Sequence, residues 1–430
     1  MGTDPRLPPP PVSGLISLGG APGPQRVDRM PERRVVLIGI VGAAGFVAAA
    51  VIVSLTGPAG SGTWLPLHLA LAGGAGLAIA ALVPHFTISL AGARPAPGRF
   101  RLVGLALIAG GAATIAVAFP RGLTQAGLVG ASAYLAGIVT SAATAFIPAR
   151  AGLGRRFGVV EVAYGLALAN AAFAVGLAIL RLGYVESLGG AWLGLKPAHA
   201  WLNLVGFVSL VVAATLIHLY PTVVGSRIRS RPALVVLVAG VGLGAPITAL
   251  GHTVAWAPLA QVGALSVVAG AAALALVAVG SWSGRGTWTT DPAWHRLTIG
   301  HLSAAVGWFV IGTAILCADL LTYGVRPAGW SLQHTIGPLI IGWVMQALVG
   351  AWSHLVPSVG PGDAARHALQ RRELARGATV RLVAWNIGAA LVTIGSFASG
   401  WMGFAGAATA GATMLASIAL LGRSCAVRGE

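Results

Sequence analysis

His199–Gly225 reads HAWLNLVGFVSLVVAATLIHLYPTVVG: it opens on a histidine, closes on a second histidine seven residues before a glycine, and carries no Asp, Glu, Lys or Arg. A run this long and this apolar is the length of a membrane-crossing helix. Two other stretches share its layout. His68–Gly92 reads HLALAGGAGLAIAALVPHFTISLAG, and His334–Gly360 reads HTIGPLIIGWVMQALVGAWSHLVPSVG. The opening histidines lie 131 and 135 residues apart. A near-constant period of this length points to three related units of the chain.

Between and around these stretches, further apolar runs recur. Twelve spans are expected, at 35–56, 64–91, 102–119, 125–148, 158–180, 198–220, 232–250, 257–280, 297–321, 334–356, 379–399 and 402–422. The three histidine stretches are then the second, sixth and tenth, and each unit holds four helices. Composition agrees: 56% of the 430 residues are hydrophobic and 9% charged, with a mean hydropathy of +0.84. A soluble fold is excluded, and the expected class is an all-α polytopic membrane protein in three pseudo-repeated four-helix arcs.

The formal charge of +17 invites a nucleic-acid reading, but its distribution rejects it. Assigned alternately to the two membrane faces, 23 of the 27 Lys and Arg fall with the termini and the loops after even-numbered spans. Only Arg121, Arg181, Lys196 and Arg326 fall on the other face. That asymmetry is the positive-inside rule. It orients both termini to the cytoplasm, in a bacterial inner membrane, with the lipid bilayer and not nucleic acid as the partner. Residues 1–33 are Pro- and Gly-rich and read as a disordered cytoplasmic tail. The membrane domain is expected over 34–422, and a short tail over 423–430. Residues 357–378 form the longest loop, polar and basic. Cys317 and Cys425 are too few for a disulfide framework, and no C-x-x-C-H motif is present for covalent haem.

Orientation turns sequence position into depth. His68, His199 and His334 lie near the outer face, joined by His252 at the end of the outward-running seventh span. His85, His218, His354 and His301 lie near the inner face. His68 and His85 are separated by roughly 25 Å of helix at 1.5 Å per residue, so one metal cannot use both. Two layers of imidazole across an apolar bundle fit a transmembrane redox path through haem or copper. The bland alternative is that histidines at helix ends merely face the interface, and His295 and His367, beside arginines in cytoplasmic loops, are read as solvated. Asn203 sits one turn from His199, so ligand and supporting group share a face. Other polar residues within spans are few: Glu161, Asn170, Asp319, Gln346 and Asn386. Glu161 is expected to pair with Arg155 or Arg156. No series of buried carboxylates crosses the membrane, which counts against a proton pump.

Twelve helices in three arcs, with outer histidines on helices 2, 6, 7 and 10, resemble the catalytic subunit of haem-copper oxidases and nitric oxide reductases. The stretches AHAWLNLVGFVSL and HLYPTVVG also look like the membrane portion fused to copper nitrite reductase or multicopper oxidase domains. The resemblance spans about 35–422. It implies His68 and His334 as axial ligands of a low-spin haem b, and His199 and His252 as ligands of a second metal, copper in the oxidases. The inner His85, His218, His301 and His354 are further candidate ligands, for a second haem. Two departures matter. GHTVAW offers one histidine where that family has adjacent ones, and QHTIGPL offers one where it has His-x-His. No tyrosine follows His199 at one-turn spacing. The resemblance therefore implies electron transfer without a complete binuclear centre, with quinol or a copper protein as redox partner. The competing readings are a non-redox transporter, a copper-handling permease, or a haem-based accessory protein for nitrogen oxides. Transporters are commonly built from 6+6 repeats, whereas the period here is 4+4+4.

Overall fold

The computed structural model describes residues 30–57, 62–152, 158–183, 192–227, 230–287, 296–325, 331–359, 363–398 and 400–427. Twelve helices are long and apolar enough to cross a membrane. They are Glu32–Thr56, Trp64–Ala91, Gly98–Arg121, Thr124–Ala149, Val159–Leu182, Leu193–Val224, Arg231–Thr253, Ala257–Ser283, Arg296–Tyr323, Leu332–Val359, Ala378–Gly395 and Gly400–Ala426. They are called here the first to twelfth spans. Helix is the natural outcome, because backbone groups in hydrocarbon must find partners within their own segment. The first helix starts at Met30 and the last runs to Ala426.

Three spans are central. The second, sixth and tenth bury 61, 78 and 83% of their most apolar stretch, against 28–50% for the other nine. These are the three histidine stretches. Around them the third and fourth and the seventh and eighth spans form the most extensive helix pairs, the eleventh and twelfth also pair closely, and the twelfth returns against the first to close the ring. The three pairs are made alike. In each, two glycines face one another so closely that a Cβ on Gly111, Gly244 or Gly388 would lie 2.6, 2.7 or 2.9 Å from the carbonyl oxygen of Gly130, Gly263 or Gly406. Small residues at these crossings let the backbones approach, as helix association in lipid demands.

The expected loop over 357–378 is instead partly helical. Asp363 caps a helix over Ala364–Leu374 by accepting the Arg366 N–H at 2.9 Å, and the helix packs on the tenth and twelfth spans. His367 lies on it with Nε2 buried, which corrects its reading as solvated: a short polar helix folds back onto the bundle and covers it. His295, Arg155 and Arg156 lie outside the described residues. Glu161 is buried and lines a cavity of about 240 Å³ with Arg150, Phe146, Val162 and Gly165.

Candidate functional site

Each central span changes its winding just past its outer histidine. π-Helix runs over Leu69–Ala75 after His68, over Trp201–Ser209 after His199, and over Ile336–Met345 after His334. The wider i→i+5 turn is unfavourable in isolation and recurs at functional sites. Here each π segment is held from outside by a side-chain donor on a neighbouring span. Tyr134 Oη donates to the Ala72 carbonyl at 3.1 Å. Asn170 Nδ2 donates to the Gly206 carbonyl at 3.3 Å, and also reaches Leu166 and Gly242. Trp385 Nε1 donates to the Ile341 carbonyl at 3.1 Å. Gly206 is required at its place, because a Cβ there would lie 2.8 Å from Asn170 Cγ.

The three outer histidines fix their rings in the same way. His68 Nδ1 donates to the Trp64 carbonyl at 2.9 Å, His199 Nδ1 to the Ala174 carbonyl at 2.9 Å, and His334 Nδ1 to Asp319 Oδ2 at 2.7 Å. Donation from Nδ1 leaves the Nε2 lone pair for another use, the arrangement that orients an imidazole for a metal. Asn203 Nδ2 lies 3.2 and 3.3 Å from His199 Nε2 and Nδ1, which places it over the face of the ring, and it donates to the His199 carbonyl at 3.1 Å. His68 and His334 keep Nε2 accessible and without a hydrogen bond from the described residues. Each of these two rings is also stacked on an aromatic neighbour: Trp64 at 4.0 Å and 26° for His68, Phe397 at 4.0 Å and 27° for His334.

The π segments that follow His68 and His199 meet where the second and sixth spans pack. The second and tenth spans do not pack substantially on each other, and His334 stands with Asp319 and Phe397 rather than with another histidine. His252 ends the seventh span, its backbone pressed against Gly194 at the start of the sixth: a Cβ on Gly194 would lie 2.0 Å from the His252 carbonyl oxygen. Both ring nitrogens of His252 are buried and unpartnered.

The inner histidines are unequal. His85 Nδ1 bonds Glu32 Oε1 at 2.9 Å, and Arg101 stands 3.5 Å from the same oxygen. Phe86 touches both the His85 and the His218 rings. His218 leans toward the Ala214 carbonyl without reaching hydrogen-bond geometry. His301 is fully enclosed, edge-on to Trp385 at 5.7 Å, with both nitrogens unpartnered. His354 lies in the field of Arg371. Among the described residues, no three His, Cys, Asp or Glu side chains converge as a metal site.

Leaving a buried ring nitrogen without a partner costs about 1–3 kcal/mol. A metal or haem iron would remove that cost at His252, His218 and His301, and the Nε2 atoms of His68 and His334, free of hydrogen bonds from the described residues, are chemically able to act as ligands. The donor set therefore fits a haem or a metal, and what sequence reasoning missed is the winding and the locking of Nδ1. Asp319 carried a signal, as a rare carboxylate inside a span, but its partner lies fifteen residues on, in the next span.

No family profile and no curated protein matches this chain. Among solved structures, the chain is similar to a haem-copper terminal oxidase determined as a dimer by cryo-electron microscopy. The match has a TM-score of 0.59 at 15% identity and covers 93% of this chain and 84% of the oxidase chain. The chain thus has a haem-copper oxidase-like fold of twelve membrane helices.

Proposed function

We propose that this chain is an integral membrane redox protein that binds haem b and transfers electrons without a complete binuclear centre. The observation that carries the reading is the shared state of His68 and His334. Each has Nδ1 locked on an acceptor, Nε2 open, and its ring plane held by an aromatic stack. These two are the axial ligands in this reading, and the haem-copper oxidase-like fold is consistent with a haem held within the bundle.

Bound haem supplies reversible one-electron chemistry. The chain supplies its orientation and surroundings. Trp64 and Phe397 prevent the two imidazoles from turning. The π segments behind them, held by Tyr134 and Trp385, fix the backbone from which they project. Close apolar packing around the three central spans keeps water away and lowers the local dielectric.

His199 and His252 form a second metal position, for copper, with Asn203 as the supporting group. There His199 Nε2 and the His252 ring would hold the metal, with Asn203 over the His199 ring helping to fix its orientation. The inner His218, His301, His354 and His85 hold a second haem in this reading. His218 and His301 have the unpartnered nitrogens that favour it, while His85 is already engaged by Glu32. Quinol and a copper protein are the donor and acceptor classes that suit such a path. With the arginine-rich face cytoplasmic, the open histidine pair lies toward the outside of a bacterial inner membrane.

A dithionite-reduced minus oxidised optical spectrum of the purified protein tests the reading. The expected result is a sharp b-type α band in wild type, absent in both His68→Ala and His334→Ala. A wild-type protein that stays colourless after expression with ample haem overturns it.

A further inference from the structure

The three outer histidines differ in the charge of the group that locks them. His68 and His199 donate to neutral backbone carbonyls, whereas His334 donates to a carboxylate, Asp319. Asp319 is 7% exposed. Among the described residues, its one recorded ion-pair partner is His334, at 2.7 Å.

The pairing is built into the packing of the ninth and tenth spans. Thr298 and Ser353 hydroxyls bond at 2.7 Å. Further along the crossing, Gly350 faces His301, Gly342 faces Trp308, and Gly312 faces Leu339. This antiparallel register runs unbroken and brings the last turns of the ninth span beside the first turn of the tenth. Asp319 thereby reaches His334. Phe397, from the end of the eleventh span, covers the ring from its other side.

An anionic acceptor draws the Nδ1 proton and raises the electron-donating power of Nε2. A stronger donor favours the more highly charged, oxidised state of a metal ion. We infer that Asp319 is a positioning residue that makes His334 the stronger donor of the His68/His334 pair and so lowers the reduction potential of the haem held there. This inference rests on the haem reading above. It adds an asymmetry that the histidine pattern does not contain.

The test uses the full-length protein in detergent, loaded with haem, with potentiometric titration of the α band. Loss of a partner that supports a ligating histidine typically weakens metal binding about 10–100-fold. If that loss falls on the oxidised form, Asp319→Asn raises the midpoint by about 59–118 mV, at 59 mV per tenfold for one electron. Asp319→Glu, which keeps the charge, is expected to stay near wild type. Asp319→Ser replaces the Asn variant should that one fail to accumulate.

A midpoint that does not rise in the Asn or Ser variant overturns the inference. So does an equal rise in Asn and Glu variants, because charge is then not the cause. In either case the haem reading survives if wild type keeps its α band and His334→Ala loses it. A wild type without haem removes both.

Discussion

Trp343 Nε1 donates to Ser209 Oγ at 2.9 Å, joining the tenth span to the sixth at the centre of the bundle. Both residues are fully buried. Ser209 closes its own π segment by donating to the Leu204 carbonyl at 2.6 Å, and Phe309 stacks on the Trp343 indole at 4.5 Å. Trp343→Phe keeps most of the ring stack and removes the donor. Hydrogen bonds between membrane helices are worth on average about 0.6 and at most about 1.7 kcal/mol. The variant should lose stability within that range in reversible unfolding from detergent micelles. No loss would mean that the two spans are held by packing alone.

The donors onto the π segments make a comparable prediction with an internal ranking. Tyr134→Phe and Trp385→Phe each remove one bond to a π-segment carbonyl, while Asn170→Leu removes contacts to Leu166, Gly206 and Gly242 at once. At about 0.6–1.7 kcal/mol per bond, Asn170→Leu should be the most destabilising of the three. Equal effects would show that the contacts of Asn170 do not act independently.

The spans were legible because each is an apolar run of the required length, and the second, sixth and tenth stood out through their histidines and lack of charge. The π segments were not legible. Residues such as LALAGGA suit an α-helix equally well, and the choice of i→i+5 bonding depends on Tyr134, Asn170 and Trp385, which lie far away in sequence. The helix over Ala364–Leu374 escaped notice because its polar face hides any apolar run, although Asp363 is a good N-cap residue. The locking of Nδ1 was not legible either: the acceptors Ala174 and Asp319 lie 25 and 15 residues from His199 and His334 and come into reach only through the packing of the spans.

At the arginine-rich end of the first three spans, Glu32 and Arg101 are buried at 5% and 4% exposure, with His85 on the same carboxylate oxygen. Arg101 Nη2 also donates to the Ala81 carbonyl. Glu32→Gln leaves the guanidinium buried without its counter-charge, which typically costs about 3–5 kcal/mol. The double variant Glu32→Gln/Arg101→Met removes both charges and should recover most of that loss. Unfolding free energies of the single and double variants check this. A double variant as unstable as the single one would show that Arg101 packs rather than pairs.

The turn between the seventh and eighth spans carries the one non-glycine residue with positive φ among the described residues, Ala255 at +55°. It completes a helix-ending turn in which Trp256 N–H reaches the Gly251 carbonyl at 2.8 Å and Ala255 N–H the His252 carbonyl at 3.3 Å. Glycine is the residue this left-handed position favours, and a Cβ there costs roughly 1–2 kcal/mol. Part of that is offset by the greater freedom of glycine in the unfolded chain. Ala255→Gly should therefore stabilise the protein by about 0.5–1 kcal/mol. Gly251→Ala acts in the opposite sense, because its Cβ would lie 2.4 Å from the Ala260 nitrogen and force the two spans apart beside His252. If His252 ligates a metal, Ala255→Gly should leave metal content unchanged while Gly251→Ala lowers it. Metal analysis alongside thermal unfolding separates the effect on the turn from the effect on the site.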